Sequence, residues 1–227
     1  MRSILFSAAT ACVLLAAGCA QPPTNLEAPE TTATILLPAA AADEQTTVPD
    51  NIPEKEVVIS PPLSRAWERV TKKSLGTRVS PTNSPVSPKR FSGFHTGTDF
   101  ETFPEEQDAD VTVMAVCTGP LLRVATADGY GGYAVQSCII NDQPVTVVYG
   151  HLRRSSVISK VGDTVSAGQA FAMLGKGFST ETDGERKHLH LSIAKGRSIN
   201  IRGYVSSASA LEGWLDAEKL DGIDEIR

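Results

Sequence analysis

From about residue 111 onward the chain is a succession of short runs in which apolar residues alternate with polar ones or gather as β-branched groups. These runs predict strands over 111–116, 121–125, 133–140, 145–149, 170–174 and 188–194. Between them stand Asp128-Gly129-Tyr130-Gly131-Gly132, Asn141-Asp142-Gln143-Pro144 and Val161-Gly162-Asp163, the turn chemistry of hairpins. No sustained 3.6-residue period intervenes, which argues against a parallel sheet built from strand–helix–strand units. Two stretches have helical spacing. Residues 64–73 predict a short helix with Ala66, Trp67 and Val70 on one side, and 208–220 predict one or two turns packed through Leu211, Trp214 and Leu215. Pro81, Pro85 and Pro88 break any regular element between. The fold class is mostly β, with antiparallel sheets and minor helices.

A different pattern opens the chain. Arg2 is followed by an apolar run over 4–17, too short to span a bilayer comfortably, and then by Ala16-Ala17-Gly18-Cys19. This resembles the lipobox of bacterial lipoproteins, with Ala16 where leucine is usual and Leu15 one step further out. The resemblance implies a signal peptide over 1–18 and lipidation of Cys19. The alternative is an ordinary signal peptide cut nearby beside an incidental cysteine. Both readings predict export. Residues 19–60 are rich in Pro, Thr and Ala and lack periodicity, the composition of a disordered, extended stalk.

Charge sharpens that division. Residues 20–60 carry seven acids against Lys55 alone, whereas the chain from Pro61 onward is neutral; the whole has a net charge of −5. No basic stripe with interleaved aromatics occurs, so nucleic acid is not expected as a partner. Cys12 lies in the signal segment and Cys19 at its end, leaving Cys117 and Cys138. In an oxidising compartment these two are a candidate disulfide; otherwise they are buried thiols.

The four histidines carry the candidate chemistry. His95 opens His95-Thr96-Gly97-Thr98-Asp99, where Gly97 is expected to let the backbone curl so that imidazole and carboxylate face one point. His151 follows Tyr149-Gly150 at a predicted strand end. His188 and His190 stand in Lys187-His188-Leu189-His190-Leu191-Ser192-Ile193, where alternation puts both on one face with Ser192 and the leucines on the other. Alone, that run is an amphipathic strand with a polar face. Together the histidines suit a catalytic zinc, which takes three His, Asp or Glu ligands and an open fourth position. His95, Asp99 and one histidine of the pair would supply them. The two left over suit proton transfer and oxyanion stabilisation.

His95-x-x-x-Asp99, Tyr149-x-His151-Leu152 and His188-x-His190 resemble, in order and separation, the signature of the M23 metallopeptidases, the lysostaphin- or LytM-type endopeptidases. Gly76-Thr77-Arg78, Gly129-Tyr130-Gly131 and Gly162-Asp163-x-Val165-x-x-Gly168-Gln169 extend the similarity from about Leu75 to about Ile193, with an echo at Trp214-Leu215-Asp216. The resemblance implies a duplicated hybrid (barrel-sandwich) fold in a domain over 61–227 with its core at 75–195. It implies one Zn2+ held by His95, Asp99 and His190, with His151 and His188 as catalytic histidines. The implied activity is hydrolysis of peptide bonds in the stems or cross-bridges of peptidoglycan, at the bacterial cell envelope and tethered to the membrane by the N-terminal lipid. No His-Glu-x-x-His helix is present, which excludes that protease class.

One departure stands out. A charged loop, Gly177-Phe178-Ser179-Thr180-Glu181-Thr182-Asp183-Gly184-Glu185-Arg186-Lys187, replaces the small Gly-Pro-containing loop usual before His-x-His. It is either an edge of the substrate groove or a solvated loop without consequence. Two functions compete with peptide hydrolysis: a non-catalytic module that binds or activates cell-wall amidases, as family members lacking zinc ligands do, and a hybrid-fold carrier domain. Retention of all three ligands and both extra histidines favours the enzyme.

Overall fold

The computed structural model describes residues 59–87 and 89–220. The expected signal peptide, Cys19 and all but the last two residues of the expected stalk lie outside them. Among the described residues no helix is long and apolar enough to cross a membrane.

The first strands are β1 (Arg78–Val79), β2 (Gly93–His95), β3 (Thr98–Glu101), β4 (Thr112–Met114), β5 (Gly119–Ala127) and β6 (Gly131–Ile140). They are followed by β7 (Gln143–Leu152), β8 (Thr164–Val165), β9 (Ala170–Met173), β10 (His188–Lys195), β11 (Tyr204–Val205) and β12 (Trp214–Leu215). Every pairing among them is antiparallel. The central sheet runs β12-β10-β7-β6-β5-β8, with β3 also paired to β10; β1-β2-β11 and β4-β9 form smaller sheets. The protein is mostly β, as its sequence predicts.

Turn chemistry sets the centre. Asn141 and Asp142 both take positive φ, 49° and 57°, and join β6 to β7 as a two-residue hairpin. On one face of the central sheet Leu189, Leu191 and Ile193 of β10 join Tyr149, Phe171 and Leu174 in the main core. Burying each such Leu or Ile is worth about 1.5–3 kcal/mol. On the other face Val135 and Val148 pack with Tyr130 and Tyr133.

The main core also contains a polar knot. The Gln136 amide donates to the carbonyls of Cys117 (2.8 Å), Gly119 (3.1 Å) and Val165 (3.0 Å). Its Oε1 accepts from the Tyr149 hydroxyl at 2.8 Å, which in turn accepts from the Val116 amide at 2.9 Å. Beside it Cys117 and Cys138 are joined as a disulfide, with Cα atoms 6.2 Å apart.

The first helical stretch is shorter than expected, and the second keeps its two turns but has a strand between them. Over 64–73 only Ala66–Arg69 is helical, as a 3-10 turn. The reason is Arg69, 1% exposed, whose guanidinium is held by the Ser64 carbonyl and the Glu106 carboxylate. Beyond it the chain extends so that backbone bonds form along the site strands. The amide of Asp99 donates to Lys73 O at 2.8 Å, that of Gly76 to His95 O at 2.8 Å, and that of His95 to Thr77 O at 2.9 Å. Over 208–220, two 3-10 turns, Ser209–Gly213 and Ala217–Lys219, flank β12, because Trp214 and Leu215 pair with Ala194 and Ile193 of β10. Ile59, Leu63, Ala217 and Leu220 all belong to the main core, so the packed unit reaches beyond 75–195 on both sides.

Candidate metal centre and groove

Register builds the site. β10 pairs with β3 so that His190 stands directly opposite Asp99 and His188 opposite Glu101. β7 flanks β10 on its other side, with Gly150 opposite His190. His95 ends β2, and the turn into β3 brings it to the same point. Gly97 in that turn does not serve as the flexible hinge expected from the sequence. A Cβ there would lie 2.4 Å from the Leu191 carbonyl oxygen and 2.9 Å from the His190 ring, so glycine is required for clearance against β10.

His151 reaches the site through an irregularity. In regular alternation it would share the core-facing side of Tyr149. The β6–β7 register shifts between Gly132 and Tyr133, leaving His151 opposite no residue, and its φ is +61°. Such a bulge re-aims a side chain. The His151 ring lies 4.2 Å from that of His188 and 5.8 Å from that of Tyr130. Gly150 makes room for this aromatic layer, since a Cβ there would sit 2.4 Å from the Tyr130 ring.

The polar face of β10 is therefore dry, contrary to the amphipathic reading: His188, His190 and Ser192 are as buried as the leucines between them. His95 Nε2, Asp99 Oδ1 and His190 Nδ1 form a triangle with sides of 2.9, 3.1 and 3.2 Å. His95 Nδ1 faces the Ser74 carbonyl at 3.3 Å. A carbonyl can only accept, so this nitrogen carries the ring proton and Nε2 turns a lone pair toward the Asp99 oxygen. Two lone-pair donors 3.1 Å apart in a dry site fit a cation placed between them, and two imidazoles with one carboxylate are a zinc-type donor set. These three residues are the one such cluster found among the described residues.

Asp99 is fully buried, and its second oxygen is also occupied. Oδ2 takes Lys73 Nζ at 2.7 Å and Arg186 Nη2 at 2.9 Å, and His188 Nε2 stands 3.3 Å from it. Burial by itself would raise the Asp99 carboxyl, but the positive charge packed against it, with Lys73 Nζ in direct contact, holds it well below the usual carboxylate range. Arg186 also grips Glu101, through Nε at 2.8 Å. His188 directs Nδ1 at the Arg186 carbonyl (2.9 Å), so that nitrogen is the protonated one and Nε2 is the basic atom.

Burial lowers all three histidines of the β7–β10 layer. His190 falls to about 3; His188 is lowered, and His151, with His188 and His190 adding to the effect, lies well below 6.5. The sign for stability follows. Depressed histidines take up protons in the unfolded chain first, so stability is complete above about pH 6.5 and falls as pH drops below it. The chelator-treated chain is accordingly expected to melt at a lower temperature at pH 5.5 than at pH 7.5. An unchanged Tm would contradict the neutral, buried state of these rings.

Lys73 and Arg186 were not apparent from the sequence motifs. Arg186 had a readable signal, because the period-2 alternation of β10 carried two residues back puts it on the face of His188. Lys73 had none. The charged loop is not a solvated excursion either: Thr182, Glu185 and Lys187 are buried. The Thr182 hydroxyl donates to Glu185 O at 2.7 Å, Asp183 accepts from the Gly129 amide at 2.7 Å, and Lys187 Nζ donates to Glu106 O at 2.8 Å and to Ala109 O.

A groove of about 280 Å3 opens over the site, with His151, His188 and His190 in its lining and Phe91, Tyr130 and Tyr204 among its aromatic walls.

No curated protein matches the chain. Among solved structures, similarity extends to LytU, at 24% identity over 66% of this chain and 89% of that one, with a TM-score of 0.43. A zinc-containing peptidase from Vibrio cholerae aligns at 21% identity over 72% of this chain but 40% of its own, with a TM-score of 0.42. The SpoIIQ–SpoIIIAH pore-forming complex aligns at 19% identity over 69% and 96%, with a TM-score of 0.45. The stretch that carries all five site side chains, residues 93–201, matches Peptidase family M23.

Proposed function

We propose that the chain is a zinc-dependent endopeptidase of the M23 type that hydrolyses peptide bonds in bacterial peptidoglycan. One observation carries this reading: the convergence of His95 Nε2, Asp99 Oδ1 and His190 Nδ1, with no proton to share between the first two. These three would hold the metal. When bound, zinc lowers the pKa of a water and polarises the scissile carbonyl.

The remaining steps belong to this chain's own residues. His188 is fixed by its bond to the Arg186 carbonyl and offers Nε2 as a proton acceptor. His151 is stacked against it and has a buried Nδ1 without a protein partner. Both are held neutral at pH 7 by burial, the state a base requires. One takes the proton of the attacking water; the other steadies the oxyanion or protonates the leaving amine. In this proposal residues 61–227 are the peptidase domain, 1–18 the signal peptide, and 19–60 a stalk that links lipidated Cys19 to the domain in the cell envelope.

The full-length chain is expected to bind one equivalent of zinc and to release soluble peptides from purified peptidoglycan. A chelator or His190→Ala should abolish release, and His188→Ala should lower it by about 10^2–10^4-fold with zinc retained. Zinc bound without release from any cell wall would replace this reading by that of an amidase-binding module.

A further inference from the structure

The groove contains a cation that the proposed chemistry does not use. Lys89 is 8% exposed and lines the groove with the histidines. Its ammonium lies 4.7 Å from the ring centre of Phe91 and 4.4 Å from that of Tyr204, two rings stacked 5.9 Å apart at 17°. Of the cations close by, Lys73 has Asp99, Arg90 has Asp183 and Glu185, and Arg186 has Asp99 and Glu101, while Arg202 in the same lining is exposed to solvent. Among the described residues no carboxylate forms an ion pair with Lys89. Aromatic faces hold a lysine stem and attract its head, but they do not neutralise it. Burial and then the nearby Lys73 push its pKa down to about 8 against the opposing pull of Glu185 and Asp99, so this ammonium, in ion-pair contact with neither, still carries its proton at pH 7.

Tyr204 ties this cation to the site. Its hydroxyl accepts from Lys73 at 3.0 Å, and its ring lies 5.4 Å from that of His95. Lys89 is therefore one ring away from a proposed metal ligand, on the wall of the groove that leads there.

We infer that Lys89 is the seat of a free carboxylate on the substrate, borne by a residue that flanks the scissile bond. The groove then takes cross-linked stem peptides that contain a diamino diacid, and not oligoglycine bridges, which offer only amides. This deepens the endopeptidase reading and rests on it for the cleavage step. A cation built into a half-dry wall discriminates strongly against a ligand that leaves it unpaired.

The test uses the full-length, zinc-loaded chain and three probes. These are a cross-linked muropeptide dimer with the free carboxylate of meso-diaminopimelate beside the cross-link, the same dimer with that carboxyl as the carboxamide, and pentaglycine. Cleavage is followed by chromatography, and binding by calorimetry with the His188→Ala chain, so that the dimers are not consumed. The free-carboxylate dimer should be bound and cut about ten-fold or more in preference to its amide, mainly through KM, and pentaglycine should be poorest. Lys89→Met, which keeps the stem across the two rings, should bring the ratio of the dimers to about one; Lys89→Arg should keep it.

Equal handling of the two dimers by the wild-type chain overturns the inference, as does cleavage of pentaglycine at least as fast as the dimer. So does a Lys89→Met variant in which both dimers fall by one factor with their ratio intact, the sign of a group acting on the reacting atoms or of a damaged fold. Ten-fold preferential binding without cleavage keeps the Lys89 site and removes the endopeptidase reading. Neither binding nor cleavage removes both.

Discussion

Asp99→Ala is expected to abolish zinc binding and to destabilise the metal-free chain by about 3–5 kcal/mol. The two losses have separate causes. The proposed zinc site loses one of three converging donors. The fold loses the compensating charge for Lys73, which is 3% exposed and whose ion-pair partner is Asp99, at 2.7 Å. Arg186 retains Glu101 and suffers less. An orphaned buried ammonium is the costly product, so a second substitution should reveal it. Lys73→Met added to Asp99→Ala should recover a large part of the stability and none of the zinc affinity. Urea unfolding in the presence of chelator measures the first quantity, and competition against a chromophoric chelator the second. An Asp99→Ala chain that unfolds at the wild-type midpoint would show that the carboxylate does not compensate the two cations.

Gln136→Leu is the second large effect, and it lies in the core, away from the metal residues. The substitution preserves bulk but strips partners from the carbonyls of Cys117, Gly119 and Val165 and from the Tyr149 hydroxyl. Each buried group left unsatisfied costs about 1–3 kcal/mol, so a loss above about 3 kcal/mol is expected even if some groups find new partners. The Cys117–Cys138 disulfide ties the same region and should keep it from fraying, so the loss should appear as a lower urea midpoint for the whole domain. A shift of less than about 1 kcal/mol would mean that water replaces the amide.

These two residues also mark what the sequence could and could not reveal. His95, Asp99, His151, His188 and His190 were readable because their chemistry is committed and each short motif fixes local spacing. The long strands were readable because alternation and turn residues agree, as at Asn141-Asp142. β2 and β3 were not, since three- and four-residue strands carry little periodicity and owe their form to distant partners, β2 to β11 about 110 residues on and β3 to β10 about ninety. His151 was expected at a strand end, but the bulge that aims it leaves no mark on composition. Gln136 is a lone polar residue in an apolar run, and nothing local says that three carbonyls await it. The run of charges over 181–187 has the composition of a solvated loop, and only the burial of Asp99 explains why Arg186 turns inward.

The sequence distances spanned by the site carry a consequence for how the chain assembles. β6 and β7 are joined by a two-residue turn, and β5 and β6 by a scarcely longer one, so this meander closes at small entropic cost. The contacts that make the site do not. His95 meets His190 across 95 residues, Asp99 meets Arg186 across 87, and Lys73 meets Tyr204 across 131. Ordering loops of that length is costly until intervening chain is already in place. The meander is thus expected to form first, with β10 docking on it and β3 and Lys73 following. The triangle of His95, Asp99 and His190 exists only in a chain that has completed its longest closures, so a half-folded intermediate has the scaffold of the site without the site itself.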